Sequence, residues 1–124
     1  MRQIKFRAKR IDNGEWVYGH YHQIGFRHFM TCKGFPYGDE VDESTLGQFI
    51  GNMDKNEVEI FEGDIVDEFL SDAEDENYLY HGVVEFFVNG FALKIKDKSY
   101  IELKNTGHNL EVIGNVTDNK ELLS

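Results

Sequence analysis

The stretch Val84-Glu85-Phe86-Phe87-Val88-Asn89-Gly90-Phe91-Ala92-Leu93-Lys94-Ile95 decides the fold. Apolar residues recur at every second position on either side of Asn89-Gly90, the period of a strand with one buried face. Asn-Gly tolerates the positive φ angles of a type I′ turn, whose twist matches that of its flanking strands. A two-residue loop there pairs Val88 with Phe91, Phe86 with Leu93 and Val84 with Ile95, six apolar residues on one face. The same register sets Glu85 against Lys94 on the other face. Turn chemistry, pattern and charge agree on a hairpin.

The period of two continues outward. Ile4, Phe6 and Ala8 alternate with Lys5, Arg7 and Lys9. Asp12-Asn13-Gly14-Glu15 is a turn, and Trp16 to Ile24 resumes as the second arm of a first hairpin. Phe26 to Cys32 reads as a third strand, Cys32 to Ser44 as a loop containing Gly34, Pro36 and Gly38, and Thr45 to Ile50 as a short strand. Gly51 to Asn56 is a turn in which Asp54 and Asn56 bond their own backbone. Val58, Ile60 and Phe61 follow, and Glu62-Gly63-Asp64 breaks the chain before a strand over Ile65 to Leu70. Ser71 to Asn77 is polar and acidic. Tyr78 to Val88 is a long strand in which Gly82 marks a bulge or bend. Further strands are expected over Tyr100 to Leu103 and Leu110 to Gly114. Asp118 to Leu123 is expected to form one helical turn, with Asp118 as cap and Glu121 reaching back. Short strands at regular spacing, with glycine turns and no sustained helical period, define an all-β class and a small barrel or sandwich.

Composition fits one domain over residues 1–124. The 124 residues include 10 Phe and 6 Tyr, too many for a solvated coil. One cysteine, Cys32, excludes an internal disulfide framework. No apolar run reaches the ~20 residues of a membrane helix, and Met1 to Arg10 has no signal-peptide core, so the cytoplasm is the expected location. The formal charge of −10 is unevenly spread. Residues 1–35 carry seven basic and two acidic side chains, a net of +5; residues 36–124 carry six and 21, a net of −15. Between Asp39 and Glu76, 15 carboxylates face one lysine, Lys55. Such a surface repels a phosphate backbone as a whole.

Four segments carry a resemblance. They are Ile4-Lys5-Phe6-Arg7-Ala8; Trp16-Val17-Tyr18-Gly19; Gly47-Gln48-Phe49-Ile50-Gly51 running through Asp54-Lys55-Asn56 to Glu59-Ile60-Phe61-Glu62-Gly63-Asp64-Ile65-Val66; and Val112-Ile113-Gly114-Asn115. In order and spacing the chain resembles the YopX-like family of phage and prophage proteins, over nearly its whole length. Lys9 stands where that family often has tryptophan after the Phe-Arg-Ala run. The resemblance implies a largely β protein with an SH3-type barrel, here over 46–116, preceded by an N-terminal hairpin region over 1–45. It implies no activity and transfers no catalytic residue. In the Gly47 to Val66 block the residues read as architecture: Gly63 suits a positive φ, and Asp64 suits a bond to a following amide.

Candidate chemistry is sparse. His20 and His22 share one strand face, and a neighbouring strand could add His28 or Cys32 to make a zinc site, but paired-ligand spacing is missing. Cys32 with a histidine base lacks any readable oxyanion donor. A calcium loop starting at Asp72 would need glycine at Asn77 and glutamate at Val83, and neither is present. Glu62, Asp64, Asp67 and Glu68 read as solvated carboxylates. No glycine-rich phosphate loop occurs. Aromatics and basics interleave in Phe6, Arg7, Arg10, Trp16, Tyr18, Tyr21, Phe26, Arg27 and Phe29, which suits either a single-strand stacking face or a barrel interior.

The reading is therefore a non-enzymatic interaction protein with no metal and no cofactor. It is expected to act on itself or on a host protein through Arg2, Lys5, Arg7, Arg10 and Trp16 on one side, and Asp67, Glu68, Asp72, Glu74 and Glu76 on the other. The alternatives are nucleic-acid binding through the basic aromatic N-terminal region, and acidic mimicry of DNA through the 39–76 region.

Overall fold

The computed structural model describes residues 5–31, 38–69, 78–87, 90–95, 100–102 and 110–123. The fold is all-β: ten strands and one terminal 3-10 turn among the described residues. The strands are β1 (Phe6–Arg10), β2 (Trp16–Ile24), β3 (Arg27–Thr31), β4 (Asp39–Met53), β5 (Glu59–Phe61), β6 (Asp64–Phe69), β7 (Tyr78–Phe87), β8 (Gly90–Ile95), β9 (Tyr100–Glu102) and β10 (Leu110–Asn115). The 3-10 turn is Lys120–Leu123. The chain divides into two compact units, Met1–Phe49 and Ile50–Ser124.

In the first unit the expected hairpin forms, with Ala8 opposite Val17 and Lys9 opposite Trp16. It is extended on both sides. β2 pairs with β3, β3 with β4, and β4 returns to β1, so each of the four strands has two neighbours. The β1–β4 register shifts between Arg7 and Lys9. There the Thr45 hydroxyl takes the place of a ladder partner, accepting from the Lys9 amide at 2.8 Å and donating to the Asp42 carbonyl at 2.7 Å. The core of this unit is Ala8, Met30 and Val41, packed by Phe6, Val17, Tyr21 and Leu46. Residues 39–44 are strand where a loop was expected. Four acids in five positions depress β propensity, yet Val41 points into the core while the acids flanking it meet Arg10, Arg27 and His28.

In the second unit β5 follows β4 and hydrogen-bonds to it, and an antiparallel sheet runs β10-β6-β7-β8-β9. Its core is Ile50, Ile60, Val66, Val84, Leu93 and Leu110, with Phe91, Ile95 and Val112 against it. The all-β class expected from the sequence holds; among the described residues no pairing joins β9 to β10, and the ladder alone shows no closed barrel over 46–116.

The deciding hairpin exists with a register moved by two. Phe87 lies opposite Gly90, Phe86 opposite Phe91 and Val84 opposite Leu93. The expected partner Val88 and the turn residue Asn89 lie outside the described residues. An even shift keeps every side chain on its own face. The observed register sets the Phe86 and Phe91 rings edge to face, 5.7 Å apart, a cross-strand aromatic pair. Glu85 and Lys94 still meet on the diagonal at 3.9 Å. Gly82 marks a close approach: a β-carbon there would stand 2.3 Å from the Lys94 carbonyl oxygen of β8.

The two turns of the resemblance block are built by buried carboxylates. Asp54 Oδ1 accepts from the Asn56 and Val58 amides, and its Oδ2 from the Val112 amide of β10 at 2.9 Å. Gly63 takes φ +93° as expected. Asp64 reaches backward instead of forward: its Oδ2 accepts from the preceding Phe61 amide at 2.7 Å. The Gly63 amide donates to Val84 and its carbonyl accepts from Val116, so this corner is tied to two further parts of the unit. At the C-terminal end, Asn115 takes the expected capping role of Asp118. Its side-chain oxygen accepts from the Thr117 and Asp118 amides.

Candidate interaction surface

Strand alternation sorts the N-terminal side chains onto two faces. Phe6, Ala8, Val17, Tyr21 and Met30 point inward. Lys5, Arg7, Lys9, Trp16, Tyr18, His20, His22, Arg27 and Phe29 therefore share the outer face. Most of the interleaved aromatics do not fill a barrel; of those named from the sequence, only Phe6 and Tyr21 pack against this core.

The outer rings carry cations. The Arg7 guanidinium lies 4.8 Å from the Trp16 ring centre and the Lys9 ammonium 5.5 Å from it. Lys5 stands 5.4 Å over Phe49, and Arg27 5.3 Å over Phe29. The Phe29 ring stacks on His22 at 5.5 Å. Arg7 is only 8 % exposed, Trp16 is half-buried and Tyr18 is exposed. At the end of this face β2 and β3 are joined by Gly25-Phe26 alone, and the Phe26 side chain is 98 % exposed, with Ile24 beside it also exposed.

The basic residues also meet acids of their own unit. Arg10 bonds Asp12 at 2.8 Å and lies 3.7 Å from Asp39. Arg27 grips Glu40 through two nitrogens, at 2.8 and 3.1 Å. The hydrogen bond that Arg10 donates to Asp12 raises the Arg10 pKa, and those that Arg27 donates to Glu40 raise the Arg27 pKa and lower that of Glu40. Residues 1–49 hold seven basic and six acidic side chains, so the strong positive pole of residues 1–35 is nearly balanced within its own unit.

The histidines separate instead of clustering. His20 and His22 share the outer face as expected, and His22 Nδ1 meets the Thr31 hydroxyl at 3.0 Å. His28 lies on the other face. Its Nδ1 meets the Tyr21 hydroxyl at 2.6 Å and its Nε2 the Glu43 carboxylate at 3.1 Å. Among the described residues no three metal-ligating side chains come together. Arg2, Cys32, Asp72, Glu74 and Glu76 lie outside the described residues.

Of the acidic candidates, Asp67 bonds His81 Nδ1 at 2.6 Å across β6 and β7. Glu68 is half-buried, and desolvation raises its pKa. Its Oε1 has no hydrogen-bond partner among the described residues. Asp54 and Asp64 are consumed by backbone amides. Two features escaped the sequence reading. The sequence pattern places Phe26 first in a strand, whereas it lies at the tip of a hairpin. His81 carries no signal in the sequence pattern, because its contacts depend on a pairing register.

A family model described as YopX protein matches residues 5–124. The chain belongs to the YopX family. A solved structure, the crystal structure of protein EF1440 from Enterococcus faecalis, is similar over 100% of both chains at a TM-score of 0.60 and 22% identity, a likeness of fold. No curated protein matches. Among the described residues no helix is long and apolar enough to cross a membrane.

Proposed function

We propose that this phage- or prophage-type protein is a non-enzymatic binding protein that acts in the bacterial cytoplasm by contact with a second copy of itself. The observation that carries this reading is Phe26, a fully exposed phenyl ring at the tip of a two-strand finger, flanked by exposed Ile24. Large aromatic side chains of this kind are the anchors of protein interfaces. A second copy offers a matching surface: Met53 and Val58 are exposed on either side of the β4–β5 turn, beside Glu57 and Glu59. Residues 50–124 carry six basic against 17 acidic side chains, which favours the more basic unit of a neighbour. Arg10 and Arg27 already have partners, so an apolar anchor explains association better than opposed charge.

Size-exclusion chromatography with light scattering tests this. The wild type is expected to form oligomers that persist at high salt, and Phe26→Ser to run as a monomer of unchanged stability. A wild type that is monomeric at every concentration and salt overturns the reading.

The cations stacked on Trp16 favour one second reading, single-stranded nucleic acid on the outer face. Its signature is a change in Trp16 fluorescence with an oligonucleotide at low salt, lost steeply as salt rises. No change with any single strand discards it.

A further inference from the structure

We infer that His81 is a proton-dependent latch that holds the C-terminal turn against β7, closed when the imidazole carries both protons and released when it loses one. The inference is independent of the interaction surface and rests on the identity of the two partners. His81 Nδ1 meets Asp67 Oδ1 at 2.6 Å, and His81 Nε2 meets the Leu122 carbonyl oxygen at 2.9 Å. A carboxylate and a peptide carbonyl only accept. A neutral imidazole has a single N–H and cannot donate to both, whereas the imidazolium donates to both at once. His28 is a useful contrast. One of its partners is the Tyr21 hydroxyl, which can donate or accept, so its geometry imposes no charge state.

The latch acts on the turn that follows β10. After β10 the chain turns through Asn115, whose side chain holds the Thr117 and Asp118 amides. Asn119 bonds back to the Asn115 carbonyl, and its own carbonyl accepts from the Leu122 amide. His81 joins the far end of this turn to the sheet, over 41 residues of sequence. None of the residues in Lys120–Leu123 is fully buried.

The surrounding charges favour the closed state. Asp67 on β6 lies directly opposite His81, and Glu111 on β10 lies opposite Asp67, so two carboxylates continue the row. Along the same face Lys94 of β8, opposite Val83, is engaged by Glu85 of β7. The turn itself brings Lys120 and Glu121, of opposite sign, with Asp118 before them. The hydrogen bond to Asp67 leads the causes that raise the His81 pKa above its ordinary 6.5, against the opposing effect of desolvation.

NMR on the full chain tests the latch. The His81 ring resonances give its titration midpoint, and the heteronuclear NOE of residues 120–123 gives the order of the turn. In the wild type the midpoint is expected above 6.5, and the turn is expected to lose its order with that same midpoint. Asp67→Asn keeps an acceptor but removes the charge, and is expected to lower the midpoint by about one pH unit. In His81→Gln the order of the turn is expected to be independent of pH. The latch is refuted if the turn stays equally ordered on both sides of the wild-type titration. It is equally refuted if His81 titrates below 6.5, a result that Asp67→Asn would corroborate by leaving the midpoint unmoved.

Discussion

Replacing Asp54 by alanine should remove one of the main ties of the second unit. Asp54 is 6 % exposed, and its two oxygens accept from three backbone amides, those of Asn56, Val58 and Val112, at 2.8–2.9 Å. The first two shape the β4–β5 turn, and the third fastens that turn to β10. A hydrogen bond to a charged group contributes about 1.5–3 kcal/mol net. The three share one carboxylate, so they do not add in full. Asn56 and Val58 are exposed and their amides can turn to water, whereas Val112 packs against the core. The sum for Asp54→Ala is therefore roughly 4 kcal/mol. Asp54→Asn keeps one oxygen for the turn but points an NH2 at the Val112 amide, for a loss of roughly 2 kcal/mol. Against a typical total of about 5–15 kcal/mol these are large. Urea titration followed by far-UV circular dichroism measures both. The midpoint should fall with an unchanged slope, and the melting temperature should drop by roughly 15 °C for the alanine variant. Trp16 is the sole tryptophan and reports residues 1–49. If the two units unfold separately, the transition that Trp16 does not report is the one that moves. An alanine variant within about 1 kcal/mol of the wild type would show that the three bonds are dispensable, and would refute the reasoning.

Three further outcomes follow from the geometry. Gly82→Ala puts a carbon 2.3 Å from the Lys94 carbonyl oxygen, which β8 cannot easily move, so a loss of roughly 3 kcal/mol is expected in the same titration; a loss under about 0.5 kcal/mol contradicts it. Glu68 has a raised pKa, so the folded state binds its proton more tightly than the unfolded chain, and the resulting stabilisation fades as pH climbs through 4.5 and beyond. Glu68→Gln should accordingly be more stable than the wild type at pH 7 and indistinguishable from it near pH 4; a less stable variant at pH 7 is the contrary result. His81, also raised, contributes fully below 6.5 and loses that contribution as pH rises through its folded-state value. The stability gap between wild type and His81→Gln should therefore be widest in mild acid and narrow in mild base, and denaturation at both pH values would expose the opposite trend.

Much of the fold could be read from residue order because its signals are local. Period-two alternation and glycine punctuation located nearly every strand among the described residues, from Phe6–Arg10 to Leu110–Asn115. Two errors were physical. Residues 39–44 hid one core residue, Val41, among four acids whose charge is answered by residues far away in sequence. The register of β7 against β8 sets Phe86 opposite Phe91, a cross-strand aromatic pair that the Asn-Gly turn preference alone does not encode. The candidate site was harder to read. The sorting of Trp16, Tyr18 and Phe29 onto an outer face depends on which alternate residues meet Met30 and Val41. The meeting of Asp67, His81 and Leu122 needs three segments from across the unit. Local composition encodes neither.

The circuit β1-β2-β3-β4 has a consequence for synthesis. Strand β1 emerges first from the ribosome, and its hairpin partner follows at once. The strand that seals its other flank, Val41 to Gln48, comes some thirty residues later. At about 10–20 residues per second the nascent chain shows a row of unmated amides and carbonyls for a few seconds. Once β4 arrives, the second flank of β1 is paired. A truncation that removes Phe6–Arg10 would open two edges together, on β2 and on β4, each a template for aggregation.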